Sequence, residues 1–523
     1  RSGGPARPTE QPRPPSDPSP LPIMAAAAPR PRRLSYLSEG ISVHLWPGAT
    51  TMEPICIAGV MDLDRAVPLE ELRARVKDRL LPLERFRAVI VDEGRQGVCM
   101  RPLAAEEVDL EYHVARADLK AGASDDELSA FVCGAQLGSF EAGAPRWRAL
   151  SVDKLKDGRA ALVLLIDHCV VDGVAAVAAL NALFDETQMA ADAPLEASCQ
   201  PERRAQWPAM PVSAAAFGLA QGAFEGLFGP LIPADDPSSL KLTNHRVVSA
   251  DKCAAFSEPV DLATIRLIKS KFPGATVNDV LLAAMTVCVE GYMAAKGEPR
   301  PRRMRGIFPV NMRPTGMDVL REGLGNHFCT GKFRFPLHLV QDPEALVWAI
   351  KRQVDLIKIS PGRVMERALV SRALPALVGR GCIRTVNDLL LDIHGKCTSM
   401  LSNVVGPLQP VHLLGRTVTD LRYFTFAPIG VYFGLMSYGG KVRAGVVTDP
   451  QCERAPERLA GLWGPAVARL HAAAMRIEGE SKAPPAPGAL SLAAVVAQDA
   501  VALVCGAFGA IWRALARRVA AGA

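Results

Sequence analysis

From Leu34 to about Phe184 the chain alternates short apolar runs with stretches whose apolar positions recur every three or four residues. Ile55 to Met61 and Ala161 to Ile166 are unbroken apolar runs of strand length, whereas Leu69 to Leu81 carries a helical period. Past residue 172, Val174, Val177, Leu180 and Leu183 fall on one helical face. The second half repeats the alternation, with strands predicted over Arg246 to Phe256 and Met304 to Val310. Helices are predicted from Asp261, over Val277 to Lys296, and from Asp342-Pro343, an N-cap followed by a first-turn proline. Val431 to Tyr438 and Lys441 to Val447 flank Gly439-Gly440 as a hairpin. The pattern is that of mixed α/β structure laid down twice.

Length supports the division, because 523 residues exceed what one ordinary core organises. The expected parts are a disordered extension over 1–33, an N-terminal domain over 34–205, an apolar crossover over 206–245, a C-terminal domain over 246–478, and a tail over 479–523. Val212 to Ile232 is long enough to approach a membrane span, but its glycines, prolines and Glu225 favour an interfacial or tunnel-lining helix. The tail breaks at Pro484 to Pro487 and then runs apolar from Leu490 to Ile511, closed by Arg513, Arg517 and Arg518. Asp499 near its centre opposes a full span by roughly 2.5–3.5 kcal/mol, so a helix lying on a membrane or packing on the domain is expected. The first 33 residues lack the apolar core of a secretory signal, although Arg30, Arg32 and Arg33 fit a transit peptide, and Met24 is a candidate start.

Composition removes several function classes. A hydrophobic share of 49% with 22% charged residues is globular. The net charge of +6 is spread without a basic run, which argues against nucleic acid. Twelve cysteines with no C-x-x-C pair give neither a metal site nor a disulfide framework, and fit a reducing compartment. There is no G-x-S-x-G elbow, P-loop or H-E-x-x-H, and Gly323-Leu324-Gly325 is too short for a dinucleotide fingerprint.

His168 stands where the apolar run ending at Ile166 stops, and Asp172-Gly173 opens the following helix. A histidine beside apolar residues is ordinarily a core residue, but the segment Asp167-His168-Cys169-Val170-Val171-Asp172-Gly173 contains His-x-x-x-Asp-Gly directly after a buried strand. That pattern resembles the signature shared by chloramphenicol acetyltransferase, peptide-synthetase condensation domains, plant acyltransferases and the wax ester synthase/diacylglycerol acyltransferase family. A thioester is already activated, so one base that deprotonates the attacking hydroxyl suffices and no Ser or Cys nucleophile is needed. His168, neutral at working pH, would take the alcohol proton and return it to the CoA thiolate. The resemblance implies that Asp172 pairs with an arginine to brace the turn; the sequence alone does not identify that arginine. Asp172 near a helix N-terminus is also explained by the macrodipole, and Gly173 would allow close packing.

Further segments narrow the resemblance. Asn278-Asp279-Val280 looks like the Asn-Asp-Val segment of the wax ester synthase/diacylglycerol acyltransferase family, and Pro309-Val310-Asn311-Met312-Arg313-Pro314 like its Pro-Val-x-Leu-Arg strand end. Gly325-Asn326 looks like its Gly-Asn strand start, and Ser402-Asn403-Val404-Val405-Gly406-Pro407 like its Ser-Asn-x-x-Gly-Pro segment. Order and spacing also agree, over roughly residues 34–475. The plant-type Asp-Phe-Gly-Trp-Gly element is missing. Thr276 with Asp279 reads equally as a capping box, while an amide at Asn278 is a candidate donor to the developing oxyanion. Ser402, Asn403, Gly406, Asn311, Arg313 and Asn326 are expected to support a tunnel wall. One departure is plain: the family usually has two adjacent histidines, and here Asp167 precedes His168. A carboxylate there could raise the imidazole pKa, although strand alternation turns it to the other face.

The resemblance implies two chloramphenicol-acetyltransferase-like α/β domains with mixed sheets and an active-site tunnel between them. It implies transfer of a long-chain acyl group from acyl-CoA, as co-substrate with no cofactor or metal, to diacylglycerol or a long-chain alcohol. A membrane-associated location is expected, on the cytoplasmic face, at the endoplasmic reticulum or a lipid droplet in a eukaryotic cell. The competing expectations are a lipid-binding protein on a degenerate fold of this kind, or another acyl-CoA alcohol acyltransferase.

Overall fold

The computed structural model describes residues 32–33, 55–92, 98–137, 140–186, 232–245, 247–314, 316–359 and 392–484. The expected extension up to residue 31, the apolar stretch up to residue 231 and the tail from residue 485 lie outside them.

The first half folds as β1 (Cys56–Leu63), α1 (Leu69–Arg79), β2 (Val114–Arg116), α2 (Asp125–Leu137), β3 (Trp147–Val152), β4 (Ala160–Asp167) and α3 (Gly173–Leu183). The second half gives β5 (Cys253–Phe256), β6 (Val260–Asp261), α4 (Leu262–Ser270), α5 (Val277–Ala295), β7 (Arg305–Asn311), β8 (Phe328–Arg334) and α6 (Pro343–Ile359). It continues with β9 (Ser399–Val405), β10 (His412–Leu413), β11 (Arg416–Thr425), β12 (Val431–Tyr438), β13 (Lys441–Thr448) and α7 (Trp463–Ala474).

Two mixed sheets result. The first runs β10-β11-β1-β4-β3-β2 and the second β8-β7-β9-β12-β13-β5, with β6 beside β13. In the second sheet β9 lies parallel to both β7 and β12, while the outer pairs are antiparallel. Each sheet carries its own core: α1 and α3 cover the first, and α4, α5, α6 and α7 pack together over the second. Helix α5 is long and apolar enough to cross a membrane, but most of that surface is buried, so its apolarity fills the second core.

The halves are interlocked. Strand β11 pairs with β1 from Thr425 opposite Ile57 to Val418 opposite Leu63, so a strand from late in the chain completes the first sheet. Its buried Arg422 bonds Asp62 of β1 at 2.6 Å and Asp125 of α2 at 3.0 Å, which ties the crossing strand to one register.

The strand expected over Arg246 to Phe256 is confined to Cys253–Phe256. The reason lies in Ser249, whose N–H and hydroxyl both bond the Asp449 carboxylate, at 2.9 and 2.7 Å, instead of a neighbouring strand.

Candidate active site

Strand β4 delivers His168 at its end. The His168 N–H donates to Ile55 O at 2.8 Å, the last step of the ladder, after which the chain turns through Cys169 and Val170 into α3. Asp172 is the N-cap of that helix: its Oδ1 accepts from the Ala175 N–H at 3.0 Å.

The turn is held from three sides. Asp172 forms a two-pronged ion pair with Arg313, Nη1 to Oδ2 at 2.8 Å and Nη2 to Oδ1 at 2.9 Å, both residues buried. Arg313 is therefore the bracing arginine that could not be picked out beforehand, and it lies 141 residues away in sequence. Its remaining donors go to Gly323 O, Gly325 O and the side chain of Asn311, while the His327 N–H donates to Asp172. Arg85, which sequence reasoning missed, donates to Val170 O at 2.6 Å and Cys169 O at 3.0 Å. On the opposite face Asp167 is fully buried, accepts from Arg146 Nη1 at 2.7 Å and caps the Cys169 N–H at 2.9 Å. The carboxylate that replaces the expected histidine is thus engaged by a cation and a backbone amide. Burial, and then Asp167, push the Cys169 thiol well above its ordinary pKa, so it is no nucleophile at neutral pH.

His168 itself is clasped by Asn326. The Asn326 amide donates to His168 O at 2.7 Å, and its carbonyl Oδ1 lies 3.0 Å from His168 Nδ1. Because the first bond orients the amide, Oδ1 faces the ring as an acceptor, so Nδ1 carries a proton and Nε2 is left outward. Phe328 flanks the ring with centroids 5.8 Å apart. Asn326 was expected as a wall residue; its geometry makes it the residue that orients the His168 ring. Gly325 supplies the sharp bend before it, with φ +111 and the Arg85 guanidinium 3.2 Å from where a Cβ would stand.

The remaining sequence candidates fall in two groups. Alternation along β9 turns Met400, Ser402 and Val404 toward the first domain, and Leu401 and Asn403 toward the helices of the second. Val404 Cγ2 would be 3.1 Å from a Cβ on Gly173, so the small residue lets α3 seat against β9. Ser402 O accepts from the Tyr423 hydroxyl at 2.9 Å, and the Gly406 N–H donates to Ser437 O. On the helix side, exposed Asn278 accepts from Asn403 Nδ2 at 2.9 Å. The partners of His168 among the described residues are Ile55, Asn326 and Phe328, and Asn278 pairs with Asn403 through its Oδ1, which leaves its Nδ2 as the donating end. Asp279 forms the capping box with Thr276, and burial pushes its carboxyl pKa up. No cluster of three or more His, Cys, Asp or Glu able to hold a metal occurs among the described residues.

Behind the motif an apolar cavity of about 50 Å³ lies between the first sheet and helices α1 and α3, lined by Gly59, Ala149, Leu164, Ile166, Gly173 and Ala176 among others.

The sequence profile of the wax ester synthase/diacylglycerol acyltransferase catalytic domain matches residues 48–281, and that of the family's C-terminal domain matches residues 324–470. A protein of Mycobacterium tuberculosis named as a probable diacylglycerol O-acyltransferase, tgs1, is 26% identical over 389 residues, covering 70% of this chain and 80% of that protein. Among solved structures, the wax ester synthase/diacylglycerol acyltransferase from Marinobacter aquaeolei superposes with a TM-score of 0.55 at 17% identity, covering 85% of this chain and all of that one. The first condensation domain of the CDA synthetase superposes with a TM-score of 0.51 at 13% identity, over 88% of this chain and 98% of that one. These superpositions bear on the fold.

Proposed function

The chain belongs to the wax ester synthase/diacylglycerol acyltransferase family and is an O-acyltransferase, and from that premise we propose that it transfers a long-chain acyl group from acyl-CoA to diacylglycerol or a long-chain alcohol, with His168 as general base. The observation that carries this reading is the Asn326 clasp, which puts a proton on Nδ1 and leaves Nε2 as the outward ring atom on a turn braced by Asp172 and Arg313.

In this mechanism Nε2 accepts the hydroxyl proton of the acceptor as its oxygen attacks the thioester carbonyl. The tetrahedral intermediate collapses with cleavage of the C–S bond, and Nε2–H returns the proton to the departing thiolate. Nδ1–H donates to Asn326 throughout, so the ring keeps its tautomer while it is transiently charged. Asp172, already shared by Arg313, the helix N-cap and the His327 N–H, holds the backbone and takes no proton. The apolar cavity beside Gly173 suits a hydrocarbon chain. Substrates of this kind are delivered at a membrane or lipid-droplet surface, where we place the enzyme.

The test is acyl transfer from palmitoyl-CoA to dioleoylglycerol and to hexadecanol by wild type, His168→Ala and Asn326→Ala. Loss of the base is expected to lower kcat by about 10²–10⁴, and Asn326→Ala to lower kcat by roughly tenfold with KM nearly unchanged. Turnover by His168→Ala within a few-fold of wild type would sink the assignment.

A further inference from the structure

We infer that the face of β8 turned toward the first domain carries the pantetheine arm of the acyl donor, with Lys332 recognising the phosphates at its far end. This rests on the acyl-CoA reading above.

Strand β8 has two unlike faces. Cys329, Gly331 and Phe333 are buried, and a Cβ on Gly331 would lie 2.9 Å from Ile357 of α6, so that face belongs to the second core. Phe328, Thr330 and Lys332 alternate with them and stay partly exposed. Their direction is given by register: Lys332 stands opposite Ile307, which is buried in the first domain's core. At one end of this face Phe328 flanks the His168 ring. Midway, the Thr330 hydroxyl and His394 Nε2 are 3.1 Å apart.

The chemistry changes along this line in the order an acyl-CoA would require. The aromatic edge at Phe328 adjoins the base, where the thioester must lie. Thr330 and His394 offer uncharged hydrogen-bonding groups at the level of the arm's two amides; burial and then the Lys332 cation drive the His394 pKa down to about 3, so the imidazole stays neutral. Lys332 follows, with no hydrogen bond or ion pair to any carboxylate among the described residues, and Arg334 continues the same face. A half-buried ammonium without an acid is costly to keep, and an anionic ligand would relieve that cost. The spacing fits as well: Phe328 to Lys332 spans roughly 14 Å of extended strand, and the pantetheine arm from sulfur to first phosphate is about four residues' worth of extended backbone.

Two measurements test the site. Calorimetric binding of free coenzyme A reads it without turnover, and Lys332→Ala is expected to weaken the Kd by about tenfold, the scale of one charge-assisted contact. Lys332→Arg should restore most of that affinity. In steady-state kinetics Lys332→Ala should raise KM for palmitoyl-CoA by a similar factor, leave kcat within about twofold, and leave KM for palmitoyl-pantetheine, which lacks phosphate, unchanged. A 3′-dephospho-CoA arm separates recognition of the diphosphate from that of the ribose phosphate. Equal losses on both thioesters, or an unchanged coenzyme A affinity, would overturn the proposal. If wild type binds coenzyme A with a Lys332-dependent affinity but shows no His168-dependent transfer, the acyltransfer mechanism fails and this site stands.

Discussion

Asp167 and Arg146 form an ion pair at 2.7 Å on the side of β4 away from the His168 ring, and the same carboxylate caps the Cys169 N–H. The residue that departs from the family's usual histidine pair therefore acts on His168 through the backbone of the turn. Asp167 is completely buried and Arg146 is 15% exposed, so removing the acid withdraws a carboxylate from beside a largely desolvated cation. Asp167→Ala should cost about 3 kcal/mol in urea denaturation, and Asp167→His should cost a similar amount because imidazole cannot replace the anion. Asp167→Asn, which keeps an acceptor, should leave the acid limb of the kcat/KM pH profile in place. A shift of that limb would mean that the charge acts directly on the imidazole.

Asn278 is the candidate oxyanion donor, and Asn403 holds its amide by the carbonyl with the NH2 end left to donate. It occupies the first turn of α5 on the helix side of the second sheet, and its carbonyl is taken by Asn403. Removing an oxyanion donor ordinarily costs 10²–10³ in kcat, whereas an exposed amide pair joining a helix to a strand contributes much less. Asn278→Ala is therefore expected to lower kcat by about 10²–10³, and Asn403→Ala, which only loosens the amide, by no more than about tenfold. Losses of tenfold or less in both variants would reduce the pair to a link between helix and strand.

What was legible beforehand was local. The apolar runs of β1 and β4, the helical periods of α1, α3 and α5, and the turn from Asp167 to Gly173 depend on neighbours a few residues apart, and each was placed to within a few positions. Arg313 and Asn326 had been singled out, but for a tunnel wall, because nothing within their own segments shows that one meets Asp172 and the other His168 across 141 and 158 residues. Arg85 carried no signal at all: it lies in a short helical turn, and its role is to donate to two carbonyls of the motif turn. The exchange of β11 into the first sheet was likewise invisible, since strand periodicity specifies a buried face and not which sheet buries it.

His394 gives a pH dependence with a definite sign. Its folded pKa is lowered to about 3 by burial and by Lys332, against an unfolded value of about 6.5. Between these values the unfolded chain binds a proton that the folded chain refuses, so stability falls as pH drops from about 6.5 toward 3, by up to about 1.4 kcal/mol per unit. His394→Gln should remove this contribution. Between pH 7 and pH 5 the wild type is expected to lose about 2 kcal/mol more than the variant in urea titrations; parallel losses would show that the histidine is accessible to protons in the folded state.

The cavity beside the motif makes the last prediction, and it separates a functional space from a packing defect. Gly59 lies in the middle of β1, where glycine weakens a strand, yet no close approach demands it: a Cβ there would meet nothing nearer than Leu164 at 3.9 Å. Ala149 and Ala176 add to the same space. Gly59→Val should therefore raise stability by roughly 1 kcal/mol, because a branched side chain suits the strand and fills apolar volume. If the space receives the end of a substrate chain, the same change must cost activity selectively: kcat/KM for hexadecyl substrates should fall by about tenfold relative to decyl ones, the scale of one or two excluded methylenes. Ala176→Leu, approaching from α3, should shift the preference in the same direction. A stabilised variant with an unaltered chain-length profile would identify the cavity as empty core, and chain length would then be set elsewhere along the cleft.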